Sequence, residues 1–230
     1  MRSPAAGPVA PLPALLALLL GVLGALLAGC GDDDPWALDR PVPAASGTVA
    51  PGFLGGVAAP HPESTVTPRA GTWDAVSPGP GYRVVLLSYG DDEPSRVLAS
   101  AVRAWAADED VALKEITPDD AHDVVPSITE AMDLRPDLIV SAGNDLIEAL
   151  AVVSAHHLDQ QFLVVGAELP EPTGNVTAAD WAGASFRGRG VGASSVYDPA
   201  TFTPERAARA VRAGVAAVLS GHTGIVIWLD

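Results

Sequence analysis

Apolar positions in residues 81–230 alternate between two spacings, and that alternation predicts the fold. Residues 83–89 (Arg-Val-Val-Leu-Leu-Ser-Tyr) form a continuous run closed by Gly90, the pattern of a strand buried on both faces. Asp91-Asp92-Glu93-Pro94 then puts acids and a proline where a helix begins. Val97, Leu98, Ala101, Val102 and Trp105 follow at helical spacing. Residues 111–116 predict a second strand, and 125–132 a short helix stopped before Pro136. Residues 137–142 predict a third strand closed by Gly143-Asn144, and 146–158 a third helix. A fourth strand over 162–166 ends at Ala167-Glu168, and 175–177 with 183–186 supply a short fifth. A long helix over 204–220 carries Ala207, Val211, Val215 and Val218 on one stripe. A last strand over 225–229 joins the sheet's edge or lies beyond it. Exposed there, it would invite pairing with a second chain.

This order predicts an α/β fold, a doubly wound parallel sheet with helices on both faces. Ligands of such sheets sit beyond the carboxyl ends of the strands, where the strand order reverses. Those ends are residues 88–92, 141–145 and 166–168, and each combines glycine or a small residue with a polar group. Ser88, Ser141 and Gly166 should therefore line one border of the sheet.

The N-terminal pattern is different. Arg2 is the only charge in residues 1–30, and an apolar Leu/Ala run over 12–28 follows it, the layout of a secretory signal. The run ends Leu27-Ala28-Gly29-Cys30, which resembles the lipobox of bacterial lipoproteins. That resemblance implies cleavage before Cys30, lipid on its sulfur, and a body held on the extracytoplasmic face of the cell membrane. Acids follow the run instead of basic stop-transfer residues, and it is short for a span of about 20 residues. Residues 31–80 carry nine prolines and seven glycines with no sustained periodicity, so they read as a stiff spacer. Its aromatics Trp36, Phe53 and Trp73 read first as solvent-exposed, with docking on the domain as the alternative. The expected organisation is a signal peptide over 1–29, a Pro/Gly-rich tether over 30–80 and one lobe over 81–230.

Composition narrows the function. With 13 basic and 28 acidic residues the net charge is −15, which argues against nucleic acid as a partner. Cys30 is the only cysteine, so no internal disulfide or Cys-rich zinc site is available. His156 and His157 are adjacent on a predicted helix and point about 100° apart, so they cannot chelate one ion together. Gly188-Arg189-Gly190-Val191-Gly192 lacks the Gly-Lys-Ser/Thr of a phosphate loop. No Gly-x-Ser-x-Gly elbow occurs, and no order of Ser, His and Asp selects a triad. The chain reads as a non-enzyme with no cofactor and no metal.

The element order and strand-end words resemble the basic membrane protein family of substrate-binding lipoproteins, of the purine-nucleoside receptor type. The matching words are Tyr89-Gly90-Asp91-Asp92, Asp137-Leu138-Ile139-Val140-Ser141-Ala142-Gly143 and Gln161-Phe162-Leu163-Val164-Val165-Gly166. Asn175-Val176, Ala184-Ser185-Phe186-Arg187, the run from Arg212 to Ala217 and Thr223-Gly224-Ile225-Val226 add to them, so the resemblance covers roughly 82–229. It departs at Glu93-Pro94-Ser95-Arg96, where such proteins carry an aromatic–asparagine pair, and in a Gly/Ser insertion over 188–203. It implies the N-terminal lobe of a periplasmic-binding-protein-like fold (type I) serving an ABC importer, with a nucleoside or similar small polar solute as ligand. The chain stops at Asp230, about where a second lobe would begin, so affinity as a monomer is expected to be poor unless a second chain or a partner supplies the other wall. The alternative is a single-lobe remnant, a structural or interaction lipoprotein that binds no small molecule.

The candidate ligand contacts are Tyr89, Asp91, Asp92, Gly143, Asn144, Asp145 and Glu168. Asp91 and Asp92 suit ligand hydroxyls or a helix N-cap, and Asn144 and Asp145 face the same choice. Glu168 reads as a ligand contact or as a solvated loop residue. Tyr89 suits stacking on a base or core packing, and Arg187 an anion or a surface ion pair.

Overall fold

A computed structural model describes Trp36, residues 40–184 and residues 193–230. The expected signal peptide, the lipid site at Cys30, Arg187 and the 188–192 glycine run lie outside the described residues. Residues 39–230 form one unit.

The unit is built on a seven-stranded, wholly parallel sheet. In chain order its elements are β1 (Thr65–Val66), β2 (Arg83–Ser88), α1 (Glu93–Asp108), β3 (Ala112–Ile116), α2 (Val124–Asp133) and β4 (Leu138–Ala142). Then come α3 (Ile147–Ser154), β5 (Phe162–Val165), β6 (Val176–Asp180), a one-turn 3-10 helix (Pro199–Thr201), α4 (Pro204–Leu219) and β7 (Val226–Trp228). Across the sheet the strands run β1-β7-β6-β5-β4-β2-β3. Helices α1 and α4 pack together over one face, and α2 and α3 pack together on the other. This is the doubly wound α/β arrangement the apolar runs predict.

Two-sided burial explains those runs. Val84, Val85, Leu86 and Leu87 are all fully buried, as are Leu138, Ile139 and Val140. Successive side chains enter opposite layers. Val84, Leu86, Leu138 and Val140 share a core with Leu98, Val102 and Trp105 of α1 and Ala207 and Val211 of α4. Each such side chain contributes about 1.5–3 kcal/mol by leaving water.

Local signals set most helix ends. Asp92 caps α1, and the helix stops where Asp110 turns to φ 52°. Arg135 at φ 52° followed by Pro136 stops α2. Helix α3 ends at Ser154, four residues short of the expected 158. The cause is Asn175, whose amide donates to the carbonyls of Ser154, His157 and Gln160 at 3.2, 3.0 and 2.9 Å and holds 154–160 as turns. The short fifth strand expected from two fragments is instead one strand, β6, and Gly183 lies in a turn.

The larger correction concerns the proposed spacer. From Arg40 onward this segment is anchored to the lobe at several points, while most of its residues stay exposed. Phe53 is 1% exposed and Trp73 6%, so the expectation that both face solvent is overturned. Ser46 and Ser77 form an antiparallel bridge, and Ala50 donates to Thr72 at 2.7 Å, closing the segment into a strap. Arg40 meets Asp137 at 2.6 Å, and the same carboxylate oxygen accepts from the Arg83 backbone at 2.7 Å. Burial and the Asp137 charge raise the pKa of the neighbouring Tyr82 phenol. The strap also supplies β1, which pairs with β7, so β7 lies inside the sheet and is not an exposed edge.

Candidate functional site

Strand order reverses between β2 and β4, because the chain goes to β3 on one side of β2 and returns to β4 on the other. Register pairs Leu87 with Ser141, Ser88 with Ala142 and Ala142 with Val165, and Gly143 donates to the Val165 carbonyl. Ser88, Ser141 and Gly166 therefore do share one border.

A cavity of about 190 Å³ opens above that border, between the loops after β2 and β4. Asp92, Pro94 and Ser95 line one wall, Gly143, Asn144 and Asp145 the next, and Tyr197 and Phe202 the third. Gly90 and Gly143 both have φ 96°, which favours glycine. A Cβ on Gly90 would lie 2.8 Å from Asp145 Oδ2 and 3.2 Å from Asp92 Oδ2, so both carboxylates crowd that backbone.

Helix capping occupies Asp92. Its Oδ1 accepts from the Ser95 backbone at 3.0 Å and its Oδ2 from Ser95 Oγ at 2.7 Å. Of the two readings open at Asp92, the cap is therefore realised. Asn144 Oδ1 is buried and accepts no hydrogen bond among the described residues. Tyr197 is 46% exposed. Partial desolvation, then the Asp92 and Asp145 charges, push its phenol pKa up, so it stays a hydrogen-bond donor at neutral pH. Its ring stands 5.8 Å from that of Phe202, which in turn meets Trp181 edge-on at 5.1 Å. Trp181 Nε1 donates to Thr201 Oγ1 at 3.0 Å, and this aromatic file supports the third wall.

Four expected residues thus meet: Asp92, Gly143, Asn144 and Asp145. The other three do not line this cavity. Tyr89 is half-buried at the end of β2. Asp91 is exposed, and its carbonyl accepts from the Arg96 guanidinium, which also pairs with Glu93 at 2.8 Å. Glu168 is buried and lines a separate groove beside β1 and β7. Ser95, Tyr197 and Phe202 escaped the sequence reading. The signal for Tyr197 was an aromatic directly before Asp198-Pro199, the start of the 3-10 turn that leads into α4.

No family model matches the chain, and no curated protein matches it. Solved structures do. An ABC transporter solute-binding protein from Aeropyrum pernix K1 aligns at 21% identity and TM-score 0.41, over 45% of this chain and 29% of that one. One from Conexibacter woesei DSM 14684 aligns at 18% and 0.38, over 44% and 36%. A transcriptional activator of the comK gene from Bacillus halodurans aligns at 14% and 0.37, over 64% and 53%. The chain thus spans under a third of the Aeropyrum protein's length. Likeness at this level identifies neither family nor ligand. What the geometry itself defines is a doubly wound α/β lobe with a polar cavity at its switch point.

Proposed function

We propose that this protein is an extracytoplasmic solute-recognition lobe, lipid-anchored to the membrane through Cys30, of the periplasmic-binding-protein type. In this reading it binds a small polar solute such as a nucleoside at the ends of β2 and β4 and serves an ABC importer. Its role is binding, with no catalytic step. The supporting observation is the meeting of Asn144, Asp145 and Tyr197 at the switch point, with a buried Asn144 oxygen still able to accept. On a small shift of the Asn144 side chain a ribose diol or base N–H would reach and donate to that oxygen, and the Tyr197 hydroxyl would donate back.

Titration calorimetry of the full chain in micelles against nucleosides tests the reading. Binding that Asn144→Ala weakens by about tenfold, beyond any change in melting temperature, supports it. Heatless titrations throughout sink it. Labelling with radioactive palmitate, lost in Cys30→Ser, tests the anchor separately. Among the described residues no helix is long and apolar enough to cross a membrane.

A second reading, a structural or interaction lipoprotein without a small ligand, draws on two observations. Both Asp92 oxygens are occupied by Ser95, and 190 Å³ is below the roughly 300–1,000 Å³ of ordinary small-molecule pockets. Under it, Asp92→Ala and Asn144→Ala alter stability alone.

A further inference from the structure

The strap builds a second concavity on the other flank of the sheet. β1 pairs with β7 so that Thr65 stands beside Val226 and Val66 beside Ile227. Side chains alternate along a strand, so Thr65 and Thr67 rise on the same face as Val226 and Trp228. Val66 and Ile227 enter the core below. The loop after β5 borders this patch with Glu168, Leu169 and Pro172, leaving a groove of about 300 Å³. Glu63 borders it from the other side. Its backbone is fixed at φ 65°, and its N–H donates to the Gly224 carbonyl at 2.7 Å. Glu168 is 5% exposed, so a carboxylate more than nine-tenths buried faces a cavity of ligand size.

We propose that this groove is a binding site for a single hydroxylated ring, a monosaccharide or similar polyol. Its lining supplies carboxylate oxygens from Glu63 and Glu168, which accept from ring hydroxyls. Thr65 and Thr67 hydroxyls donate or accept. Trp228, Val226 and Leu169 offer an apolar surface for the C–H face of the ring. Among the described residues no basic side chain lines the groove. Among the described residues no three His, Cys, Asp or Glu side chains are placed to hold a metal ion. The volume is enough for one ring. The site is separate from the cavity between β2 and β4, and the two readings stand or fall independently.

The test uses the full chain in a zwitterionic, sugar-free detergent. D-ribose, D-glucose, D-galactose and N-acetylglucosamine are titrated by calorimetry and ligand-observed NMR, with putrescine as a cationic control. At least one sugar is expected to bind at millimolar or better affinity. Thr67→Val and Glu168→Gln are each expected to weaken it by about tenfold, and Arg103→Ala, beside the opposite edge strand β3, to leave it unchanged. Thr67 is exposed, so its variant stays informative even where Glu168→Gln unfolds the chain. Absence of sugar binding to folded protein overturns the proposal, as does putrescine binding without sugar binding. Unchanged affinity in Thr67→Val overturns it too. Sugar binding lost in Asn144→Ala alone would move the ligand to the other cavity, overturning this site while supporting solute recognition there.

Discussion

The cavity at the ends of β2 and β4 and the groove over β1 and β7 lie on one sheet but are walled differently. Two of the first one's three walls come from loops that directly follow their own strands, and part of their polarity is spent on local order, as when Ser95 binds both oxygens of Asp92. The second takes one wall from a strap more than 150 residues away from β7 in sequence. There the threonines and glutamates stand on elements fixed by burial beneath them. Capping a helix fills a pocket with its own residues, whereas docking a remote segment can leave polar groups lining a space.

The sharpest way to break this contrast is to loosen the strap. Phe53→Ala removes a side chain 1% exposed and is expected to cost about 3–5 kcal/mol in urea unfolding. A true spacer would lose under about 0.5 kcal/mol. Next in size, Asp137→Ala removes the acceptor shared by Arg40 and the Arg83 backbone and is expected to cost about 1.5–3 kcal/mol. Combining it with Arg40→Ala should cost less than the two single losses together, a double-mutant cycle that measures how far the strap's start is tied to β2 and β4.

On the other flank, Asp92→Ala is expected to cost about 1 kcal/mol through the lost cap, and Asp92→Asn clearly less. Equal losses in both would show that the carboxylate charge, and not capping, matters at the cavity. The smallest effect concerns Glu115 on the edge strand β3. A hydrogen bond from Arg103, then its charge, holds the Glu115 carboxyl below its ordinary pKa. A lowered folded pKa stabilises above the unfolded pKa, and that contribution fades as pH falls through the folded value. The pair is more than a third exposed, so under about 1 kcal/mol is at stake, screened by salt. Arg103→Ala should flatten this part of the acid limb in melts between about pH 5 and pH 3.

Legibility in the sequence follows the same division. β2, β4 and β5 were readable because burial on both faces demands unbroken apolar runs, and α1 because Asp92 and Pro94 sit at its start. The meeting of Asp92, Gly143, Asn144 and Asp145 followed from parallel strands sharing one carboxyl border. β1 was invisible because two residues amid prolines carry no period. Phe53 and Trp73 were misread because isolated aromatics look the same in a spacer as in a docked strap. The end of α3 depends on Asn175, 21 residues downstream of Ser154, so no local window contains it. Glu168 stands at the expected strand end but lines the groove beside β1 and β7, since the loop after β5 runs toward β7 and away from β4.

The pairing of β1 with β7 also dictates an order of assembly. A chain emerging N-terminus first, from a ribosome or a translocation pore, releases Thr65 and Val66 long before Val226 emerges. Through that interval the strap has no strand to join, and Phe53 remains wetted. Non-local closure of this kind slows the last folding step and leaves greasy surface available to chaperones or neighbouring molecules until it completes.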